Sequence, residues 1–346
     1  MTAARPIGYY VHHHGAGHRT RAAAIARAAG GRVTLIGTGL AGKVSDLAYL
    51  ELPDDRLEPG FTGADGAANR PESLHYAPVD HDGVRRRVAG TAQWIVENAP
   101  ALMVIDVSVE MAMLARLASV PTVVVRLAGL RTDPAHRDAF RGATALLCPF
   151  DEQLEDPATP ADIVARTRYF SGLIDRPHPA TAQPGMVTVV LGAGGNDVEG
   201  AVWAAAARSA PDMEWHVLGA ADALPGAPPN LTWHGWVANA PDRMARSEVV
   251  IVTAGNGAVG TVLATGRPLI CIPQDRPFGE QRSTAAALVR AGGAVQCDNP
   301  ATADWPALIE RARALDPGAA RALDDPSGPE RAARWLVKLA DRGGRS

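Results

Sequence analysis

Residues Val250 to Pro273 read VIVTAGNGAVGTVLATGRPLICIP, and the fold turns on them. A β-branched run ends in a Thr-Ala-Gly turn, a helical stretch follows from Gly257 to Ala264, and a second apolar run spans Pro268 to Ile272. Strand, glycine turn, helix and strand make a βαβ unit, and such units build a parallel sheet with right-handed crossovers. Directly after it come Phe278, Gly279, Glu280 and Gln281 in a polar loop.

Working outward, the same alternation fills the second half of the chain. Strands are predicted at Val187–Leu191, Glu214–Leu218, Leu231–His234, Val249–Thr253 and Pro268–Ile272. Helices fall between them, near Val198–Arg208, Asn239–Ala245, Gly257–Ala264 and Glu280–Ala291. Upstream, Pro177, Pro179 and Pro184 break the pattern and suit an interdomain linker. Before that linker the alternation appears once more. Strands are predicted at Ile7–His12, Val33–Ile36, Leu102–Asp106, Val120–Val125 and Ala145–Cys148. Helices are predicted near His18–Ala29, Val84–Glu97 and Val109–Ala118. The stretch 53–82, rich in Gly, Pro and Asp, is too long for a plain connection and reads as a surface loop or a functional flap.

Length and composition agree with two domains: 346 residues, 47% hydrophobic, can bury two ordinary cores. The resulting division is 1–173, a linker at 174–185, 186–325, and a C-terminal helix in 326–346 that packs across the domains. A formal charge of −3 without a basic block argues against a nucleic-acid track. The three cysteines, Cys148, Cys271 and Cys297, have no metal-ligand spacing and read as reduced thiols. No apolar run approaches the ~20 residues of a membrane span, and the N-terminus does not read as a secretory signal. A cytoplasmic protein is expected, with peripheral membrane contact left open.

Ligands of open α/β sheets bind beyond the carboxyl ends of the strands, so the loops after the strands carry the candidates. In HHHGAGHRTR, Gly15 to Gly17 allow a tight turn, and His18 opens a helix whose dipole favours a neutral imidazole able to act as a base. A structural, hydrogen-bonded His18 is the competing reading. His12, His13 and His14, as consecutive strand residues, should alternate faces, so no metal site is expected. Asp106 ends an apolar strand and is either a second candidate base or a helix cap, a task Ser108 can equally take.

Gly192, Gly194, Gly195 and Asn196 form a glycine-rich turn, and Gly255, Asn256 and Gly257 form another. Both can present backbone amides to a diphosphate. Gly235 and Trp236, in WHGW, lie where a nucleotide base can be met, although two core tryptophans explain that motif as well. Glu280 and Gln281 offer hydrogen bonds to sugar hydroxyls.

Together these residues resemble the GT-B glycosyltransferases of family 28. GAGH (Gly15–His18) looks like that family's first glycine loop and LGAGG, ending at Gly195, like its second. TAGNGAV with Gly266, Pro268, Pro273 and Gln281 is similar to its donor-binding core. The resemblance implies an α/β GT-B fold, two Rossmann-like domains with parallel sheets facing a central cleft. It further implies a nucleotide diphosphate sugar donor, UDP-linked or thymidine-linked, in the second domain and an acceptor in the first. It implies inversion with His18 or Asp106 as base, Gly17 beside the donor, and no cofactor or bound metal. Where relatives carry a ribose-binding Glu, this sequence has Thr261. The acceptor, whether small molecule, glycan or lipid-linked, is not named by the sequence. A nucleotide-sugar hydrolase or epimerase on the same fold, or a non-catalytic nucleotide-sugar-binding protein, are the alternatives.

Overall fold

The computed structural model describes residues 4–13, 15–65, 70–192, 198–219 and 225–343. Seven strands form the first sheet: β1 (Ile7–Val11), β2 (Val33–Gly37), β3 (Tyr49–Glu51), β4 (Leu102–Asp106), β5 (Thr122–Val125), β6 (Ala145–Cys148) and β7 (Thr167–Tyr169). Their order is β3-β2-β1-β4-β5-β6-β7, and every pair is parallel. The crossovers carry α1 (Ala16–Ala28), α2 (Asp82–Asn98), α3 (Val109–Leu117), α4 (Pro134–Gly142) and α5 (Ala161–Arg166).

The second sheet has six strands: β8 (Met186–Val190), β9 (Glu214–Leu218), β10 (Leu231–Gly235), β11 (Val249–Val252), β12 (Leu269–Cys271) and β13 (Val295–Gln296). They pair in the order β10-β9-β8-β11-β12-β13, again all parallel. Its helices are α6 (Gly200–Ser209), α7 (Ala240–Arg246), α8 (Asn256–Thr265), α9 (Glu280–Arg290), α10 (Trp305–Arg313) and α11 (Pro317–Ala322). A last helix, α12 (Gly328–Gly343), ends the fold.

Alternating side chains supply both faces of each sheet. Tyr9, Leu35 and Val104 face α1 and α12, whereas Tyr10, Ile36 and Ile105 face α2, α3 and α4. In the second sheet Val189 and Ile251 pack with α6 and α10, and Val250 and Val252 with α8 and α9. All three cysteines are buried and unpaired. None of the described helices is long and apolar enough to cross a membrane.

The predicted strands and helices lie within a few residues of those observed. The short edge elements were not foreseen. β3 and β13, three and two residues long, carry no run that periodicity can register. The helix α4 begins at a proline and mixes charged with apolar residues, and α10 also starts beside a proline.

The chain crosses between the two sheets twice, and the crossings touch backbone to backbone. Gly172 (φ 73°) leaves only 2.0 Å between a would-be Cβ and the Asp325 carbonyl oxygen, and Gly328 leaves 1.8 Å to that of Ser171. Arg176 pairs with Asp324 at 2.8 Å beside them. After the return crossing α12 buries Ala332, Ala333, Leu336 and Ala340 against the first sheet's core, next to α1.

Strand order reverses between β1 and β4 and between β8 and β11. Loops diverge at such switch points and open a crevice at the carboxyl ends of the strands. His18 follows β1, Asp106 ends β4, Gly192 follows β8 and Thr253 follows β11.

Candidate functional site

The two crevices face one another across a single cleft of about 1030 Å³, walled by both sheets. At its floor the N-termini of α1 and α8 meet: a Cβ built on Gly257 would lie 3.8 Å from the Gly17 Cα. Neither helix has a side-chain cap, since Gly15 and Gly255 occupy the capping positions. By contrast His81, Ser108 and Asp133 cap α2, α3 and α4. Uncapped first-turn amides and two convergent dipole ends make a site for a negatively charged group. Gly17 and Gly257 adopt ordinary negative φ, so the backbone itself does not demand glycine at either position. Their missing side chains leave the space open.

His18 stands beside this floor on the first turn of α1. Its Nδ1 is 3.0 Å from Asp106 Oδ1, and its side chain keeps 15% exposure, to the cleft. Arg21, one turn on, places Nη2 2.9 Å from both carboxylate oxygens of Asp106. The same Nη2 is 2.9 Å from His18 Nδ1. Asp106 has no exposed surface and does not line the cleft. Burial pushes its carboxyl up, but Arg21 and His18 outweigh that and hold it down at about 2. Asp106 was expected as a second candidate base; the structure buries it with both oxygens engaged, in the place of a support for His18. It is not a helix cap, because Ser108 caps α3. Between them Val107 takes φ 56°, closing a turn in which Ser108 N donates to the Asp106 carbonyl at 2.9 Å. Positive φ at a β-branched residue is strained, and here it turns the chain at once from the buried carboxylate to the capped helix.

His12 and His13 both line the cleft, contrary to strict alternation, because β1 ends at Val11 and they belong to the loop. His12 sits edge-on to His18, ring centres 5.2 Å apart. His14 lies outside the described residues.

The second wall is built around the Val250–Pro273 segment. Gly192, Gly255, Asn256, Gly257, Thr261, Glu280 and Gln281 all line it. Asn256 Nδ2 is buried at the α8 N-terminus without a protein partner among the described residues. Thr261 is less free than expected, as its hydroxyl donates to Gly257 O at 3.0 Å within α8. Gln281 Oε1 accepts from Gln274 N at 2.9 Å, which leaves its amide nitrogen for other partners. Glu280 is paired with Arg131 of the first sheet's loops at 2.9 Å. Trp236 is 63% exposed on the cleft, whereas Trp233 packs into the core, so WHGW splits between the two readings. Gly235 is corrected to a turn residue: it adopts φ 61°, its carbonyl accepts from Gly219 N, and it does not line the cleft. Gly194, Gly195 and Asn196 lie outside the described residues.

The segment 53–82 contributes Asp55, Arg56, Leu57, His75 and Tyr76 to the first wall. It is anchored where Glu110 Oε1 accepts from His75 N at 2.7 Å and Tyr76 N at 2.8 Å. Its His75 also reaches Asp133 at 2.8 Å, beside His136 and Phe278. Burial and the adjacent Arg131 push the His136 imidazole down to about 4, against the pull of Asp133. Asp133 thus serves two histidines by hydrogen bonding, and Arg131 Nη1 stands 3.3 Å from the far nitrogen of one of them. Arg21, Glu110 and Arg131 were not singled out from sequence. For Arg21 a signal existed, since i and i+3 share a helix face and put it beside His18.

Residues 223–310 match the model of the glycosyltransferase family 28 C-terminal domain. A UDP-N-acetylglucosamine–N-acetylmuramyl-(pentapeptide) pyrophosphoryl-undecaprenol N-acetylglucosamine transferase of Paenarthrobacter aurescens (strain TC1) is 38% identical over 76 residues. That match spans 20% of this chain and 20% of that relative. Among solved structures, the glycotransferase of kitacinnamycin superposes with a TM-score of 0.66 at 19% identity, over 97% of this chain and 99% of that one. MurG of Acinetobacter baumannii gives 0.60 at 13%, over 97% and 99%. A UDP-glucosyltransferase from Polygonum tinctorium capable of glucosylating indoxyl gives 0.66 at 14%, over 99% and 100%. The chain therefore has the GT-B fold, and its residues 223–310 are similar to the glycosyltransferase family 28 C-terminal domain.

Proposed function

We propose that the protein is a glycosyltransferase that moves a sugar from a nucleotide diphosphate donor onto an acceptor hydroxyl, with inversion and with His18 as the base. The observation that carries this reading is the His18–Asp106 contact of 3.0 Å beside the uncapped, convergent N-termini of α1 and α8. An imidazole whose Nδ1–H is held by a carboxylate presents the Nε2 lone pair to a substrate. Located at the cleft, that lone pair can take the acceptor's proton as the hydroxyl attacks the anomeric carbon. The leaving diphosphate then rests on the first-turn amides, whose dipole ends stabilise the developing charge without a bound cation.

In this reading the donor lies along the second wall. Trp236 stacks on the base, Asn256 and the amides of α8 take the phosphates, and Glu280 with Gln281 reaches the sugar hydroxyls. The UDP-linked donor is favoured, with a thymidine-linked one the variant that Thr261 leaves room for. The acceptor occupies the first wall under the 53–82 segment, where Leu57, Val88, Met111 and Leu127 give it an apolar bed.

Calorimetry of UDP and thymidine diphosphate, with and without magnesium, tests the donor half. Magnesium-independent binding of one of them, weakened at least tenfold in Asn256→Leu, is expected. Failure of both nucleotides to bind would remove the reading.

A further inference from the structure

The proton-transfer site contains a third charged residue for which a histidine–carboxylate pair alone has no need. Arg21 is 3% exposed, on the same face of α1 as His18, and spends one guanidinium nitrogen on both oxygens of Asp106 at 2.9 Å. The same nitrogen lies 2.9 Å from His18 Nδ1. Nδ1 thus stands between the guanidinium and Asp106 Oδ1, 3.0 Å away, and the carboxylate favours the tautomer that carries a hydrogen on Nδ1.

We propose that Arg21 is a positioning residue of the proton-transfer site: its guanidinium neutralises Asp106, so that the carboxylate orients the His18 imidazole without charging it. The inference rests on the reading of His18 as base. A carboxylate within hydrogen-bond reach draws a proton onto an imidazole, and an imidazolium has no lone pair with which to accept a substrate proton. With Arg21 in place the three groups sum to zero while His18 is neutral. Protonating His18 would put a net positive charge in an enclosed site.

The other groups around the imidazole do not upset this balance. From the loop after β1 comes the His12 ring, edge-on, and from β1 the Tyr9 phenol, fully buried and kept neutral by that burial. From α8 the nearest approach to the first turn of α1 is at Gly257, which is uncharged. Arg21 therefore does two things at one nitrogen. It makes a buried carboxylate tolerable, and it cancels the carboxylate's charge beside the imidazole.

The test is ¹⁵N NMR of the full, unliganded chain labelled at histidine, with His18 assigned by its loss in H18Q. In the parent protein His18 is expected as the Nδ1–H tautomer at neutral pH. In Arg21→Met its titration midpoint should rise by about one to three pH units, because the carboxylate now pulls unopposed. In the double variant R21M/D106N both charges are gone, and the midpoint should return to within about half a unit of the parent while the single tautomer becomes a mixture. The double variant keeps the question open to measurement even where R21M alone does not fold. An unchanged midpoint in folded R21M, or a midpoint in R21M/D106N lower than the parent's by about a unit or more, would reduce Arg21 to a structural tie. An Nε2–H tautomer in the parent would overturn the base reading itself, and so separates the two failures.

Discussion

His18, Asp106 and Arg21 are held by one another more than by anything around them, and the consequences appear in rate and in acid stability. Replacing His18 by Ala should lower turnover by about 10²- to 10⁴-fold with nucleotide affinity unchanged, measured by comparing turnover with calorimetric binding. A loss of binding in parallel would move His18 from base to ligand. Asp106 is lowered from its ordinary 3.8 to about 2 in the fold. A depressed carboxyl stabilises the fold at pH above its unfolded value and ceases to do so as pH falls through the folded one. Stability from this group is thus complete above about pH 4 and disappears toward pH 2. Denaturation across that window should show a shallower pH slope in R21M/D106N than in the parent. The residues of this triad were only partly legible in sequence. His18 announced itself by its glycine loop, and Asp106 by ending an apolar strand. That they touch, across 88 positions of chain, follows from the adjacency of β1 and β4, and only that contact turns Asp106 from candidate base into support.

On the scale of elements, the two helix starts matter most. Gly17 and Gly257 have ordinary φ, and a Cβ on Gly257 would find only the Gly17 Cα within van der Waals range. Gly257→Val should therefore leave the melting temperature close to that of the parent while weakening nucleoside diphosphate binding at least tenfold. A matched loss of both would mean that the glycine serves packing. Trp236 gives a companion case on the loop after β10. Being 63% exposed, it contributes little to the fold. Trp236→Ala should weaken nucleotide binding by about 1–3 kcal/mol if a base stacks there, and thermal melts should not move. The longer strands and helices could be read from hydrophobic runs because their apolar residues are contiguous or regularly spaced. Edge strands such as β3 have no such run, since an exposed edge needs no apolar alternation. Within WHGW nothing in the letters says which tryptophan faces the core; the register of β10 against β9 decides it.

The two halves are joined at the double crossing, by Phe150 and Leu154, which pack into the core beside α8 and α9, and at the contact of Arg131 and Phe278. Leu130 N donates to the Phe278 carbonyl at 3.0 Å, Arg131 lies over the Phe278 ring at 4.9 Å, and Arg131 also holds Glu280. A residue assigned to the donor is thereby tied to the opposite wall, a link between halves that no local motif could have disclosed. At the crossing, Gly328→Ala should cost about 1–3 kcal/mol in chemical denaturation, because its Cβ would sit against the Ser171 carbonyl and backbone must move. Little change would mean that the crossing yields easily. The same geometry bears on how such a protein can vary. The outgoing and returning strands of chain lie in contact, at Gly172 and Asp325, so everything between them leaves and rejoins the first sheet at a single spot. The six-stranded unit is, in effect, a cassette plugged in through one two-pin socket. Exchanging it for the corresponding unit of another protein requires that the socket match and that Phe150, Leu154 and Arg131 find their partners again, which would let nucleotide preference be inherited or engineered separately from whatever the first wall accepts.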